Sequence, residues 1–468
     1  MKSRFAVILA ATLGPGAWAQ NQLQMPKDLP AYGTQPAAQL PDVKAVKLDN
    51  GLTVWLVAQP GLLKVSMRVL VLGGLAADPA DHPRLSELLA NTLAQGTRAR
   101  SAKQIAEEIQ SAGGDLEVAA NSDRIAMSAS VLSAKAESAV NLLADVLQNA
   151  AFPDEEVALA KRNLSSSLSQ DEAEPGFQAR RALARALFKA GPYSVIAPTQ
   201  DSIRQMTAGE LRREFARRFR PDQCILVVVG DLDVARMAAL IRERLGGWKA
   251  PAEPPMAVKA APSAPVTQAV TLVPRPDSVQ TTLLLGGFGP LRGDPDYEAA
   301  QVANAIYGGM FSSRLTLNIR EDKGYTYSPF SDLETLRAAG VMRTQADVRN
   351  AVTGASLNEI LYEMNRMVTT SPTDEEMSRA KRFLLGLEAL LQLRSQTAGE
   401  IAELWLHGLG PDGIVTYNRK IGETRKEDVD NVARKYLPSS RMTIVAVGDE
   451  KVIRQAVAPF ALPVETAK

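Results

Sequence analysis

The chain repeats itself, and that constrains its fold more than any other feature. Asp154-Glu155-Glu156-Val157-Ala158-Leu159-Ala160-Lys161-Arg162 returns 220 positions later as Asp374-Glu375-Glu376-Met377-Ser378-Arg379-Ala380-Lys381-Arg382. Met206-Thr207 through Phe219-Arg220-Pro221 has its counterpart in Glu423-Thr424 through Tyr436-Leu437-Pro438. Each copy then enters an apolar stretch that ends in Gly-Asp, at Gly230-Asp231 and Gly448-Asp449. Upstream, Ala90-Asn91 with Gly96 matches Ala303-Asn304 with Gly309. Four matches in one order, at offsets of 213 to 220, mark an internal duplication. The expectation is two homologous domains, residues 43–248 and 269–468. Between them, residues 249–268 carry prolines at 251, 254, 255, 262 and 265 and read as an extended Pro/Ala-rich linker.

Each copy mixes strand and helix signals. Val46-Lys47-Leu48 and Leu52 to Val57 flank Asp49-Asn50-Gly51, a strong hairpin signal. Val65, Met67, Val69 and Val71 alternate as a half-buried strand does. Ser101 can cap a helix that runs through Ala112 and stops at Gly113-Gly114. Arg124–Leu132 reads as a strand and Ala134–Gln148 as an amphipathic helix. Hairpins mixed with helices predict an α+β fold, with a mostly antiparallel sheet and helices on one face, rather than a doubly wound parallel sheet.

Residues 1–19 read as an address. Lys2 and Arg4 precede a short apolar run, and Ala17-Trp18-Ala19 is an A-x-A cleavage site before Gln20, so a periplasmic, exported protein is expected, with 20–42 as an N-terminal extension. No stretch reaches the ~18 apolar residues of a membrane span. Net charge is +1, which offers no basic excess to attract nucleic acid. The single cysteine, Cys224, lies in the apolar run Cys224–Val229 and reads as a buried, inert thiol. There are two histidines, His82 and His407, and both read as ordinary surface or loop residues.

The set Leu48–Val54, Gly73-Gly74, Gln95-Gly96-Thr97, Gly191-Pro192-Tyr193, Pro221 with Val229-Gly230-Asp231, and Ser312–Leu315 through Ile319-Arg320-Glu321 resembles the pitrilysin/insulinase-type zinc metallopeptidases, in their processing-peptidase branch. That family carries H-x-x-E-H, whose two histidines one helical turn apart bind zinc while the glutamate serves as base; a glutamate further on completes the ligands. Aligned on Gln95-Gly96-Thr97, the first histidine position holds Glu87, the base position Ala90 and the second histidine position Asn91. The downstream ligand position falls near Leu168. All four roles are vacant, so no cofactor is expected on this chain. Glu87 with another carboxylate could hold a hard ion, a reading these residues leave open.

A second element survives. From the residues alone, Phe311, Leu315 and Ile319 fit one helical face, Gly324 ends that helix, and Tyr325-Thr326-Tyr327 starts a strand. Arg320 then reads as a helix-end arginine and Tyr327 as half-buried filler; Arg314, off Arg320's face, reads as structural. The resemblance implies more. Family members carry an arginine followed seven residues on by a tyrosine, and Arg320 and Tyr327 have that spacing. The implied function is a non-catalytic, substrate-binding subunit of a heteromeric peptidase, inactive alone. A homologous partner would bring zinc, and unfolded peptides would be the substrates. The alternative is a non-enzymatic clamp of the same fold that holds extended peptides by strand addition.

Overall fold

The computed structural model describes residues 42–255, 268–391 and 394–467. The expected leader and N-terminal extension up to residue 41 and the middle of the linker lie outside the described residues. The first domain runs β1 (Val43–Lys47), β2 (Thr53–Ala58), β3 (Lys64–Leu72), α1 (Leu85–Leu93), α2 (Ala102–Ser111), β4 (Asp115–Ala120), β5 (Arg124–Leu132), α3 (Ala136–Asn149), α4 (Asp154–Ala173), α5 (Pro175–Phe188), α6 (Gln200–Gln205), α7 (Ala208–Arg218), β6 (Cys224–Gly230) and α8 (Val234–Leu245). The second follows with β7 (Val270–Pro274), β8 (Gln280–Gly289), α9 (Tyr297–Asn304), α10 (Arg314–Thr316), β9 (Phe330–Thr335), β10 (Gly340–Arg349), α11 (Thr353–Thr369), α12 (Asp374–Leu391), α13 (Arg394–Leu406), α14 (Gly413–Glu423), α15 (Lys426–Tyr436), β11 (Thr443–Gly448), α16 (Glu450–Val457) and β12 (Val464–Thr466).

The duplication appears in the sheets. Their strand orders are β1-β2-β6-β3-β5-β4 and β12-β7-β11-β8-β10-β9. The two orders coincide position by position except at one edge. There the first domain uses the hairpin strand β1, antiparallel to β2, and the second uses the C-terminal strand β12, parallel to β7. Beyond that edge each sheet has one parallel pair, β2 with β6 and β7 with β11, and its other pairs are antiparallel. The fold is α+β, as expected.

Local chemistry accounts for the elements. Gly51 takes φ +94° in the first hairpin turn, and Asn50 donates from its side chain to Leu245 O and Trp248 O, tying that turn to the end of α8. Ser101 and Gln104 form a reciprocal capping box at α2. β6 is buried along its whole length. Cys224, Leu226 and Val228 enter the first domain's core, whereas Ile225, Val227 and Val229 face the other way.

That other face is covered by the second domain. Ala398, Ile401 and Ala402 of α13, a stripe at helical spacing, pack against Trp55, Val57, Leu70, Ile225, Val227 and Val229. The arrangement is reciprocal. Ala179, Ala182, Leu183 and Leu187 of α5 pack against Leu284, Val341, Val445 and Val447 of the second sheet. Gly286 on β8 admits this approach: a Cβ there would lie 2.6 Å from Leu183 Cδ2. The expectation of helices on one face therefore holds for each domain's own helices, and one crossing helix from the other domain covers the opposite face.

Polar contacts close the seam. Tyr193 donates from its hydroxyl to Asp123 Oδ1 at 2.6 Å, Arg337 N donates to Asp123 Oδ2 at 2.8 Å, and Arg124 donates to Glu403. Ile401 is fully buried at this junction. Ile401→Ala is expected to destabilise the chain by about 2–5 kcal/mol in denaturant unfolding, with the domain contact loosening first.

Candidate functional site

The four motif positions sit on α1 and α4, which pack together in the first domain's core. Leu168 and Ala90 are both buried in that core with Leu85, Leu88, Leu89, Leu93 and Leu164. Asn91 points to solvent. Glu87 pairs with Arg84, whose guanidinium also donates to Ile196 O. Arg84 itself is left-handed, with φ 66°, so it opens α1 without capping it. The cap comes from Asp78, which accepts from Ser86 N at 3.1 Å and is held by Arg218 at 2.9 Å in a buried pair. The helix is thus positioned firmly, but at the motif positions it presents a methyl, an amide and a paired carboxylate, and α4 adds the isobutyl group of Leu168. These side chains do not fit a zinc ion. Among the described residues no group of three or more His, Cys, Asp or Glu, around Glu87 or elsewhere, is placed to hold a metal.

The histidines lie elsewhere. His82 Nδ1 is 3.0 Å from Glu210 Oε1 in the loop before α1. His407 follows the last residue of α13 in a turn, as a loop residue would, but it is half-buried rather than open to solvent. Burial, with the nearby Arg292 guanidinium, pushes its imidazole down to about 4. Cys224 is buried, and burial pushes its thiol up.

Arg320 and Tyr327 come together in the second domain. Leu315 and Ile319 are fully buried and anchor the helix, as expected. Past Thr316 the chain continues as a π-helix, Leu317–Asp322, and Gly324 closes it at φ +59°. Arg314 is structural: buried, it meets Glu376 through Nε at 2.7 Å and Nη2 at 3.0 Å. Burial pushes the Glu376 carboxyl up, but the bonds from Arg314 and Thr373 outweigh it and hold it at about 2.

Three local expectations fail here. Phe311 lies outside the helix and is 64% exposed, so it is not part of the buried face. Tyr325–Tyr327 is not strand; Thr326 Oγ1 donates to Asp347 O, and the strand starts only at Phe330, directly after Pro329. Tyr325 and Tyr327 both line the cavity. Nor is Tyr327 sheet filler, for it is 80% exposed.

The Arg320 guanidinium lies 4.8 Å from the Tyr327 ring and 4.5 Å from the Phe311 ring. Its Nε is 3.3 Å from Glu321 Oε1. The pair borders an open cavity of about 580 Å³. A second cavity of about 660 Å³ shares Gln280 and Asp347 with the first and reaches Glu174–Gly176 at the start of α5. Together they make a groove from Tyr327 to the first domain. Phe311, stacked on Arg320, adds exposed aromatic surface beside it. Chemically, the groove offers a phenol that can donate and a fork that can bind carbonyls or a carboxylate, in a mostly polar and charged lining that includes Glu321, Asp347 and Arg349.

A duplicated α+β scaffold with an arginine–tyrosine pair at an open groove is that of a peptidase-like protein. Comparison with known proteins gives the same class. The family model Insulinase (Peptidase family M16) matches residues 53–197, and Peptidase M16 inactive domain matches 205–384. The chain belongs to the M16, or pitrilysin/insulinase, peptidase family. It is 25% identical over 421 residues to an uncharacterised zinc protease of Streptomyces coelicolor, covering 87% of this chain and 90% of the relative. It is 29% identical over 322 residues to one of Mycobacterium leprae, covering 66% and 70%. Among solved structures, a peptidase M16 inactive domain from Pseudomonas fluorescens superposes with a TM-score of 0.80 at 24% identity, covering 87% of this chain and 98% of that one. A protease from Helicobacter pylori superposes with 0.81 at 18% identity, covering 87% and 100%. No helix among the described residues is long and apolar enough to cross a membrane.

His407 yields a pH prediction. Folded, its imidazole stays neutral down to about pH 4, whereas unfolded it takes a proton near 6.5. The unfolded chain thus binds the extra proton between those values, and stability rises with pH across that window. His407→Gln is expected to flatten that part of the stability–pH profile, measured by urea unfolding at a series of pH values.

Proposed function

We propose that this chain is the non-catalytic, substrate-binding subunit of a heteromeric zinc metallopeptidase of the periplasm. A homologous chain with an intact H-x-x-E-H motif brings the zinc and the base. This chain contributes half of the peptide chamber and the Arg320–Tyr327 pair. The observation that carries the reading is the contrast between the two sites. Ala90 and Leu168 are core packing, while Tyr327 stands exposed and Arg320 half-buried at the edge of an open groove.

The roles follow from the groups. The Tyr327 hydroxyl donates to the oxyanion that forms when a peptide carbonyl is attacked. The Arg320 fork holds neighbouring peptide carbonyls or a carboxylate in a fixed orientation. An extended, unfolded peptide suits a groove that continues to the start of α5. Free strand edges at β4 and β9 favour the second reading, a peptide-holding clamp without catalysis.

The purified chain is expected to retain no stoichiometric zinc after dialysis against it and to cleave nothing alone. Mixed with a zinc-bearing homologue from the same source, it should support cleavage of unfolded peptides. In that mixture Tyr327→Phe should lower kcat/KM by about 10²-fold, the scale of one lost oxyanion donor. Unchanged kinetics for both Tyr327→Phe and Arg320→Ala would rule out the substrate role. Peptide binding with no gain of activity in the mixture would leave the clamp.

A further inference from the structure

Phe311 is a large aromatic side chain left 64% exposed, which forgoes the transfer free energy that burial would give. It is not a stray surface residue. It sits between a first π-helical turn, Ala305–Gly309, and the cap Ser313 that starts α10. From there its ring covers one face of the Arg320 guanidinium at 4.5 Å, while the Tyr327 ring meets the same guanidinium at 4.8 Å. Glu321 lies 3.3 Å from Nε. No Nη hydrogen bond to Arg320 is formed among the described residues, so the outer edge of the fork keeps its donors free beside the cavity.

We propose that Phe311 is a positioning residue: with Tyr327 it clasps Arg320, so that the two Nη groups are presented edge-on to acceptor oxygens of an extended peptide. An arginine on a flexible stem loses rotamer freedom when it binds. The rings and Glu321 remove that freedom beforehand, so the fork binds with less ordering left to do. The wide turn over Leu317–Asp322 keeps Ile319 in the core while Arg320 meets the rings. The peptide-binding consequence rests on the function proposed above; the clasp itself does not.

Two measurements on the full chain separate them. In a 15N correlation spectrum, the Arg320 Nε–Hε signal should be displaced by the two ring currents. Phe311→Leu should move it towards the position of an exposed arginine, and Phe311→Tyr should leave it nearly in place. A signal that Phe311→Leu does not move overturns the clasp. In fluorescence anisotropy with a short, unstructured, fluorescein-labelled peptide, Phe311→Leu should weaken binding about two- to five-fold, the scale of an exposed cation–π contact. In an Arg320→Ala background the same change should have no effect. An equal loss in both backgrounds means that Phe311 acts independently of Arg320 and overturns the positioning role. If Arg320→Ala alone leaves peptide affinity at the wild-type value, it is the substrate-binding reading that fails, and the Nε–Hε signal still decides the clasp.

Discussion

The structure depends on an exchange of helices between its two copies. Each central strand is apolar on both faces, and a domain's own helices cover only one. Left alone, each sheet would expose Ile225, Val227 and Val229, or Leu284, Val445 and Val447, to water. α13 covers the first set and α5 the second. Neither domain is complete without a helix of the other, so the duplication yields one body rather than two beads on a linker. The seam also uses polar groups sparingly. Asp123 accepts from both the Tyr193 hydroxyl and the Arg337 amide, which offsets the cost of burying a carboxylate where strands from both domains end.

Within that frame the two sites have diverged. At α1 and α4, residues that in the family's motif would ligate or move a proton have become packing or surface. Leu168 continues the buried stripe of Val157, Ala160 and Leu164, and Ala90 leaves space beside Leu89 and Leu93. A core of this kind is stabilised by the same apolar contacts that exclude a metal. At the other site nothing has been absorbed. Tyr327 remains exposed, and Arg320 remains held between two rings rather than in an ion-paired core like that of Arg314. One helix therefore carries two arginines with opposite fates, set by which face meets Glu376 and which meets the groove.

Much of this was legible in the sequence where the physics is local. The Asp49-Asn50-Gly51 turn, the Ser101 cap and the alternation of β3 are short-range signals, and each element formed where expected. Cys224, in its apolar run, read correctly as buried. The misreadings share a cause: they lie where distant contacts decide. A helical face from Phe311 to Ile319 was a reasonable period, but the chain does not become helical until Arg314, and a π-turn follows. Tyr325–Tyr327 has strand composition, yet Gly324, Pro329 and the bond from Thr326 to Asp347 hold it as a bend. His407 looked like a surface residue because nothing nearby in sequence shows that α13 crosses into the other domain.

By itself the sequence determined the repeat, the α+β class and the emptiness of the metal motif, because these follow from residue identity and from spacing over one or two turns. Leucine and alanine cannot ligate zinc in any fold. Only the tertiary structure decided which helix covers which sheet, and that Phe311, Arg320 and Tyr327 form one cluster. Those outcomes depend on close approach between residues far apart in the chain, as at Gly286 and Leu183, and on burial of the outer faces of two sheets at once. No local propensity specifies such contacts; they arise because both copies share one need for cover and satisfy it reciprocally.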